Sequence, residues 1–221
     1  MAETENRIVS RQPDAAERAI KWIAGNKNRI TTVLGTVVLL AGATWYLSAA
    51  KARKEQFANR QLAEARFTAQ SGNLQLATSD LTSIVESYGG TPAGQEAVLV
   101  LANVRLAMDE GELAVAELTE FLNGNPLEYF EGPGYALLAG AYEELGRFQE
   151  ASESYEKAAD ATDLPLLRGE FLLDQARTAT VAGNRTVAIE VYELILEEFD
   201  RDSPINIEAS ARLSEARQQA S

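Results

Sequence analysis

The sequence predicts an all-α protein: a single transmembrane helix followed by an α-solenoid of about four helix pairs plus a C-terminal capping helix. Three features predict this. Ile30 to Ala50 is a run of 21 residues without a charge. Beyond it, segments with apolar residues at helical spacing come in pairs divided by glycine. That glycine, with an alanine five residues after it, recurs at a nearly fixed interval.

Composition narrows the function classes. The 221 residues contain no cysteine and no histidine. Disulfides, thiolate nucleophiles, Cys/His zinc sites and Ser-His or Cys-His catalytic pairs are therefore excluded. The formal net charge is −13, which disfavours electrostatic binding of nucleic acid. The charge is unevenly spread. Residues 1–29 hold six Lys/Arg and four Asp/Glu, residues 30–50 hold none, and the remainder holds 14 Lys/Arg and 29 Asp/Glu. Three segments follow: a tail over 1–29, a transmembrane helix over 30–50, and a repeat domain over 51–221.

Residues 1–14 are polar, include Pro13, and are expected to be disordered. Ala15 to Arg29 sets Ile20, Trp22 and Ile23 beside Arg18, Lys21, Lys27 and Arg29. Two readings stand: a short helix at a bilayer surface with Trp22 at headgroup depth, or a flexible basic tail. A helix over Ile30–Ala50 would rise roughly 31 Å, the thickness of a hydrocarbon core. Trp45 and Tyr46 lie near one end, and Arg29 and Lys51 close the run. A cleaved signal peptide is the alternative. Its charged leader would be long and its apolar run would exceed the usual ~7–15 residues. Charge does not orient the span, because Arg11, Arg18, Lys21, Lys27 and Arg29 are matched by Lys51, Arg53, Lys54, Arg60 and Arg66.

Lys51 to Ala69 reads as a polar helix continuing from the span into the first pair. The dividing glycines are Gly72, Gly111, Gly146 and Gly183, followed by Ala77, Ala116, Ala151 and Ala188. The second pair is the least regular, and its run Ala97–Ala102 is apolar on all sides, as in a buried central pair. Thr91-Pro92, Asn125-Pro126 and Ser203-Pro204 each read as a cap followed by proline at the first helical position. Pro133 and Pro165 fall between predicted pairs, and Gly89-Gly90 and Gly132-Pro133-Gly134 read as turns. Ile205 to Ala220 is the last helix, with Ile207, Ala211 and Leu213 on its apolar face. It caps the stack or begins an incomplete fifth pair.

The third pair is the clearest. Tyr135, Leu138, Ala139 and Tyr142 share one helical face, and Phe148, Ala151, Tyr155 and Ala158 share another, with Gly146 between them. Ala139 and Ala151 are small where the helices would cross. These nine residues resemble the tetratricopeptide repeat in register. The resemblance implies that the first helix of each pair lines a concave groove. The implied groove residues are Leu62, Arg66, Ala69, Ala136, Gly140, Glu143, Glu170, Leu173, Arg177 and Thr180. Their mixed charge suits an extended peptide or a partner helix.

No catalytic constellation is visible. Glu143-Glu144, Asp109-Glu110 and Glu197-Glu198 are adjacent in sequence, and adjacent helical residues do not face each other. Asp200, Asp202 and Asn206 lack the glycine and closing glutamate of a calcium loop. The expectation is a binding protein that is not an enzyme, with no cofactor and no metal.

The whole arrangement resembles a bacterial family. A tail with Trp22, a span ending in Trp45-Tyr46, a polar helix and about four divergent repeats are similar to the ancillary subunit of the SecYEG translocon. The periplasmic cell-division coordinator shares this type of repeat domain. The resemblance implies a single-pass inner-membrane protein with a cytoplasmic N-terminus and periplasmic repeats. It also implies translocon subunits and a membrane-anchored chaperone as partners. The alternative is a scaffold in envelope assembly or cell division.

Overall fold

The computed structural model describes residues 14–218. The tail expected to be disordered lies outside them, apart from Asp14. The described residues form ten helices and no strand. They are α1 (Ala15–Gly25), α2 (Lys27–Gln70), α3 (Leu74–Tyr88), α4 (Pro92–Leu106), α5 (Gly111–Asn123), α6 (Glu128–Glu144), α7 (Phe148–Asp160), α8 (Pro165–Val181), α9 (Arg185–Glu198) and α10 (Pro204–Gln218). The chain divides into two units, at Ala52 and Arg53.

The first unit holds α1 and the apolar part of α2. α2 is long and apolar enough to cross a bilayer, and its apolar stretch buries nothing. Leu34, Val37, Val38, Leu39, Leu40 and Leu47 all stand exposed. The hydroxyls of Thr31, Thr32, Thr36, Thr44 and Ser48 each donate to a carbonyl three or four residues earlier. The helix thus satisfies its own hydroxyls, as helices of the second unit do at Thr78 and Thr180.

The second unit is an α-solenoid. Helix packs on neighbouring helix in chain order from α3 to α10, and α4 also packs on α6, and α8 on α10. Its backbone period is constant. Gly72, Asp109, Gly146 and Gly183 take positive φ of 87°, 60°, 71° and 83°, each 37 residues after the last (109 − 72, 146 − 109, 183 − 146). At all four, the amide of the turn residue donates to the carbonyl three residues back. The next amide donates to the carbonyl five residues before its own. This is the closure that a left-handed residue gives a helix end.

This period corrects the register read from sequence in the second pair. Its turn is made by Asp109, an aspartate that tolerates the left-handed region, and not by Gly111. Gly111 is the buried first residue of α5, and a Cβ there would sit 3.1 Å from Leu145. The buried alanine of that pair is Ala114, and Ala116 is exposed. With this register the four pairs agree. Ala65, Ala102, Ala139 and Ala176 before the turns, and Ala77, Ala114, Ala151 and Ala188 after them, are all fully buried. Small residues at both positions let the backbones approach, and Leu81, Leu118, Tyr155 and Tyr192 fill the space four residues on.

Three further expectations are corrected. Pro133 lies inside α6, and Gly132-Pro133-Gly134 is helical. The glycines are needed for packing. A Cβ on Gly132 would approach the carbonyls of Ala158 and Ala161 at 3.4 Å, and one on Gly134 would reach Leu122 at 3.0 Å. Pro133 comes early in the helix, where it removes a single backbone bond. Asn125-Pro126 is no cap, since Asn125 has φ of 55° and α6 starts at Glu128 behind Leu127. The amide of Leu127 donates instead to Gln95 Oε1 at 2.9 Å. In α10 the buried face is Ile205, Ala209, Leu213 and Ala216, while Ile207 and Ala211 are exposed. Spacings of four, four and three keep the buried residues on one stripe.

The other caps are as the sequence reads. Thr91 accepts from the Gly94 amide at 3.1 Å ahead of Pro92, and Ser203 from the Asn206 amide at 3.2 Å ahead of Pro204. Pro165 opens α8.

Candidate functional site

Within the repeat unit, one face is built from the first helices of successive pairs. Two ion pairs cross it. Arg66 of α2 meets Glu96 of α4, and Arg177 of α8 meets Glu143 of α6. Both arginines stand six residues before a turn, at Gly72 and Gly183, so the repeat itself places them on one face.

The Glu143–Arg177 pair is the better built. Arg177 donates through both terminal nitrogens, at 2.6 Å to Oε2 and 2.9 Å to Oε1, and also reaches Asp174 Oδ1 at 2.9 Å. The buried Tyr155 donates its hydroxyl to Glu143 Oε1 at 2.9 Å from below. The hydrogen bonds from Arg177 hold the Glu143 carboxyl below its ordinary range, against the effect of burial, and the Tyr155 hydroxyl adds to the lowering. Burial, reinforced by that bond, pushes the Tyr155 phenol above its ordinary value. Three hydrogen bonds thus hold Glu143 as a carboxylate.

Arg177 also borders a cavity of about 530 Å³ at the C-terminal end of the unit. α8 contributes Glu170, Leu173, Asp174, Thr180 and Val181. α9 contributes Tyr192, and α10 contributes Glu208, Arg212, Glu215 and Ala216. Four of the residues singled out from sequence are thus brought together: Glu170, Leu173, Arg177 and Thr180. Glu143 joins them through Arg177. Arg66 and Ala69 lie in the first pair, with Ala69 half-buried against the core. Leu62 does not line this face: it is buried among Ala58, Ala65, Ala97 and Leu101. An apolar side chain between α2 and α4 gains more from the core than from the surface. Ala136 is half-buried, and Gly140 has open space where a Cβ would stand.

Sequence reasoning missed the α10 half of the cavity. Arg212 and Glu215 look like ordinary polar residues of a capping helix. Only the packing of α10 on α8, in the manner of a fifth first helix, brings them to the edge of the cavity, where both stay exposed. Among the described residues no cluster of three or more acidic side chains has metal-binding geometry.

Comparison with known structures agrees with this architecture. A putative kinesin light chain of nearly identical tetratricopeptide-like repeats from Podosopora anserina is 22% identical, with a TM-score of 0.56, covering 72% of this chain and 85% of that one. A tetratricopeptide repeat protein from Parabacteroides merdae is 18% identical, with a TM-score of 0.58, covering 74% and 61%. The pilF protein of Pseudomonas aeruginosa is 20% identical, with a TM-score of 0.56, covering 75% and 71%. No family model and no curated protein matches the chain. The repeat unit has the tetratricopeptide-repeat fold.

Proposed function

We propose that the chain is a membrane-anchored adaptor that holds protein partners on the face formed by α4, α6, α8 and α10, without chemistry of its own. The cavity at Leu173, Arg177 and Tyr192 carries this reading: it sets six charged side chains among Leu173, Val181, Tyr192 and Ala216 and has the size of a few side chains. An extended peptide or a helix edge fits such a surface better than a reacting small molecule does. The apolar stretch of α2, which buries nothing and bonds its own hydroxyls, supports the anchor. Anchoring would confine the repeats to a surface and raise their effective concentration toward other membrane proteins.

By its resemblance to the ancillary translocon subunit, the finer reading is an inner-membrane protein with periplasmic repeats, acting beside the Sec translocon and a membrane-anchored chaperone. The boundaries at 29/30 and 50/51 belong to the same proposal. The test is affinity purification from detergent with a tag after Ser221. Translocon or chaperone subunits should be recovered, and the charge-swapped variant R212E/E215R, which alters only exposed side chains at the cavity, should lose them while remaining folded. Their absence, with an unrelated envelope-assembly or division complex consistently enriched, would replace this partner set. A reporter fused after Ser221 and active only outside the cytoplasm tests the orientation.

A further inference from the structure

Helix α1 presents an apolar face that no other described residue covers. None of its residues is buried, and Ile20, Trp22 and Ile23 are 66%, 64% and 52% exposed. At roughly 100° per residue the helix divides into two arcs. Ala15, Ala16, Ala19, Ile20, Ile23 and Ala24 form one continuous side, and Glu17, Arg18, Lys21 and Gly25 form the other. Trp22 stands on the seam, four residues after Arg18 and three after Ala19. The helix is closed at both ends. Asp14 Oδ1 accepts from the Ala15 amide at 2.7 Å, and Asn26 donates from its amide and its Nδ2 to the Trp22 carbonyl at 3.0 and 2.9 Å. A single residue, Asn26, separates it from α2.

We propose that α1 is a second membrane contact, a helix lying in the headgroup layer of the leaflet where α2 enters. This rests on reading residues 30–50 as a span. Covalent connection selects the occupant. Only Asn26 to Arg29 separate α1 from Ile30, so a span over residues 30–50 holds the bilayer surface next to α1. The chemistry fits. Ile20 and Ile23 enter the acyl boundary, Trp22 sits at headgroup depth with its indole N–H toward water, and Arg18 and Lys21 meet lipid phosphates. Residues 14–29 carry Arg18, Lys21, Lys27 and Arg29 against Asp14 and Glu17. That small positive excess favours an anionic leaflet, but apolar burial remains the main attraction.

The chain has two tryptophans, so each can be isolated in the full-length protein. W45F leaves Trp22 as the reporter, and W22F leaves Trp45. Both variants are reconstituted into phosphatidylcholine–phosphatidylglycerol vesicles. Trp22 should emit at shorter wavelength than in urea-unfolded protein. Lipids brominated near the headgroup should quench it more strongly than aqueous iodide does. Adding I20E and I23E to W45F should return Trp22 to water-like emission and quenching. If Trp22 is water-like while Trp45 is quenched by brominated lipid, α1 does not bind the bilayer and the span stands. If both are water-like, the span itself is wrong. If iodide and brominated lipid both fail to quench Trp22, protein covers the face, and the lipid proposal is overturned.

Discussion

Gly140 and Gly146 are six residues apart, and alanine at either would meet nothing within 4 Å. They differ in backbone. Gly140 is inside α6, while Gly146 makes the turn with φ of 71°. The same substitution should therefore have opposite signs. In the helix, alanine is favoured over glycine by about 0.5–1 kcal/mol, because glycine loses more freedom on folding. At the turn, an L-residue in the left-handed region costs about 1–2 kcal/mol, partly offset by the stiffer unfolded chain. G140A should be more stable than the native protein and G146A less stable, with a separation of about 2 kcal/mol. In a unit of this size each kcal/mol moves the melting temperature by about 2–4 °C. Thermal unfolding followed by helical circular dichroism should place the two melting points roughly 4–8 °C apart, with the native protein between them. Asp109 is the one of these four turn residues that is not glycine, so by the same reasoning D109G should raise stability. Equal melting points for G140A and G146A would refute the assignment of the turn to residue 146.

Other perturbations test the packing and the face. In G94A the new Cβ would fall 1.9 Å from the Tyr88 carbonyl oxygen, so backbone must move, and the loss should be about 3 kcal/mol by urea denaturation. N206A removes the Nδ2 bonds to the carbonyls of Phe199 (2.8 Å) and Leu196 (3.3 Å) at the end of α9, and should cost about 1–3 kcal/mol through the orphaned acceptors. Glu143 titrates below its ordinary range in the native protein, chiefly through Arg177. Its stabilising effect is therefore complete above the unfolded value of about 4.3 and is lost as pH falls through the lower native value. E143Q should flatten that acid limb of the stability profile while leaving helix content unchanged. A151L would overpack the crossing at the fully buried Ala151 and should lower stability by about 1–3 kcal/mol.

Local chemistry made much of this molecule legible. The uncharged run at Ile30–Ala50, the Thr91-Pro92 and Ser203-Pro204 caps, and the faces around Gly146 depend on residues within a few positions of one another. The second pair departs from local rules for the same reason. Gly111 is a better turn former than Asp109 by any local rule, yet it opens α5, where a side chain would crowd Leu145, 34 residues away (145 − 111). Gly132 and Gly134 look like turn glycines, and only the approach of α5 and α7 shows that they make room.

The sequence by itself determined the helices, their pairing and the approximate repeat, because periodic apolar faces and small residues encode neighbour packing directly. Tertiary structure decided the constant 37-residue register, since the turn at Asp109 emerges only when all four pairs stack. It also decided the site. Leu62 and Leu173 have the same residue type and the same offset from their turns, but α4 covers the first while the cavity beside α10 leaves the second accessible. What lies over a side chain depends on the next helix in the stack, and no residue carries that information alone.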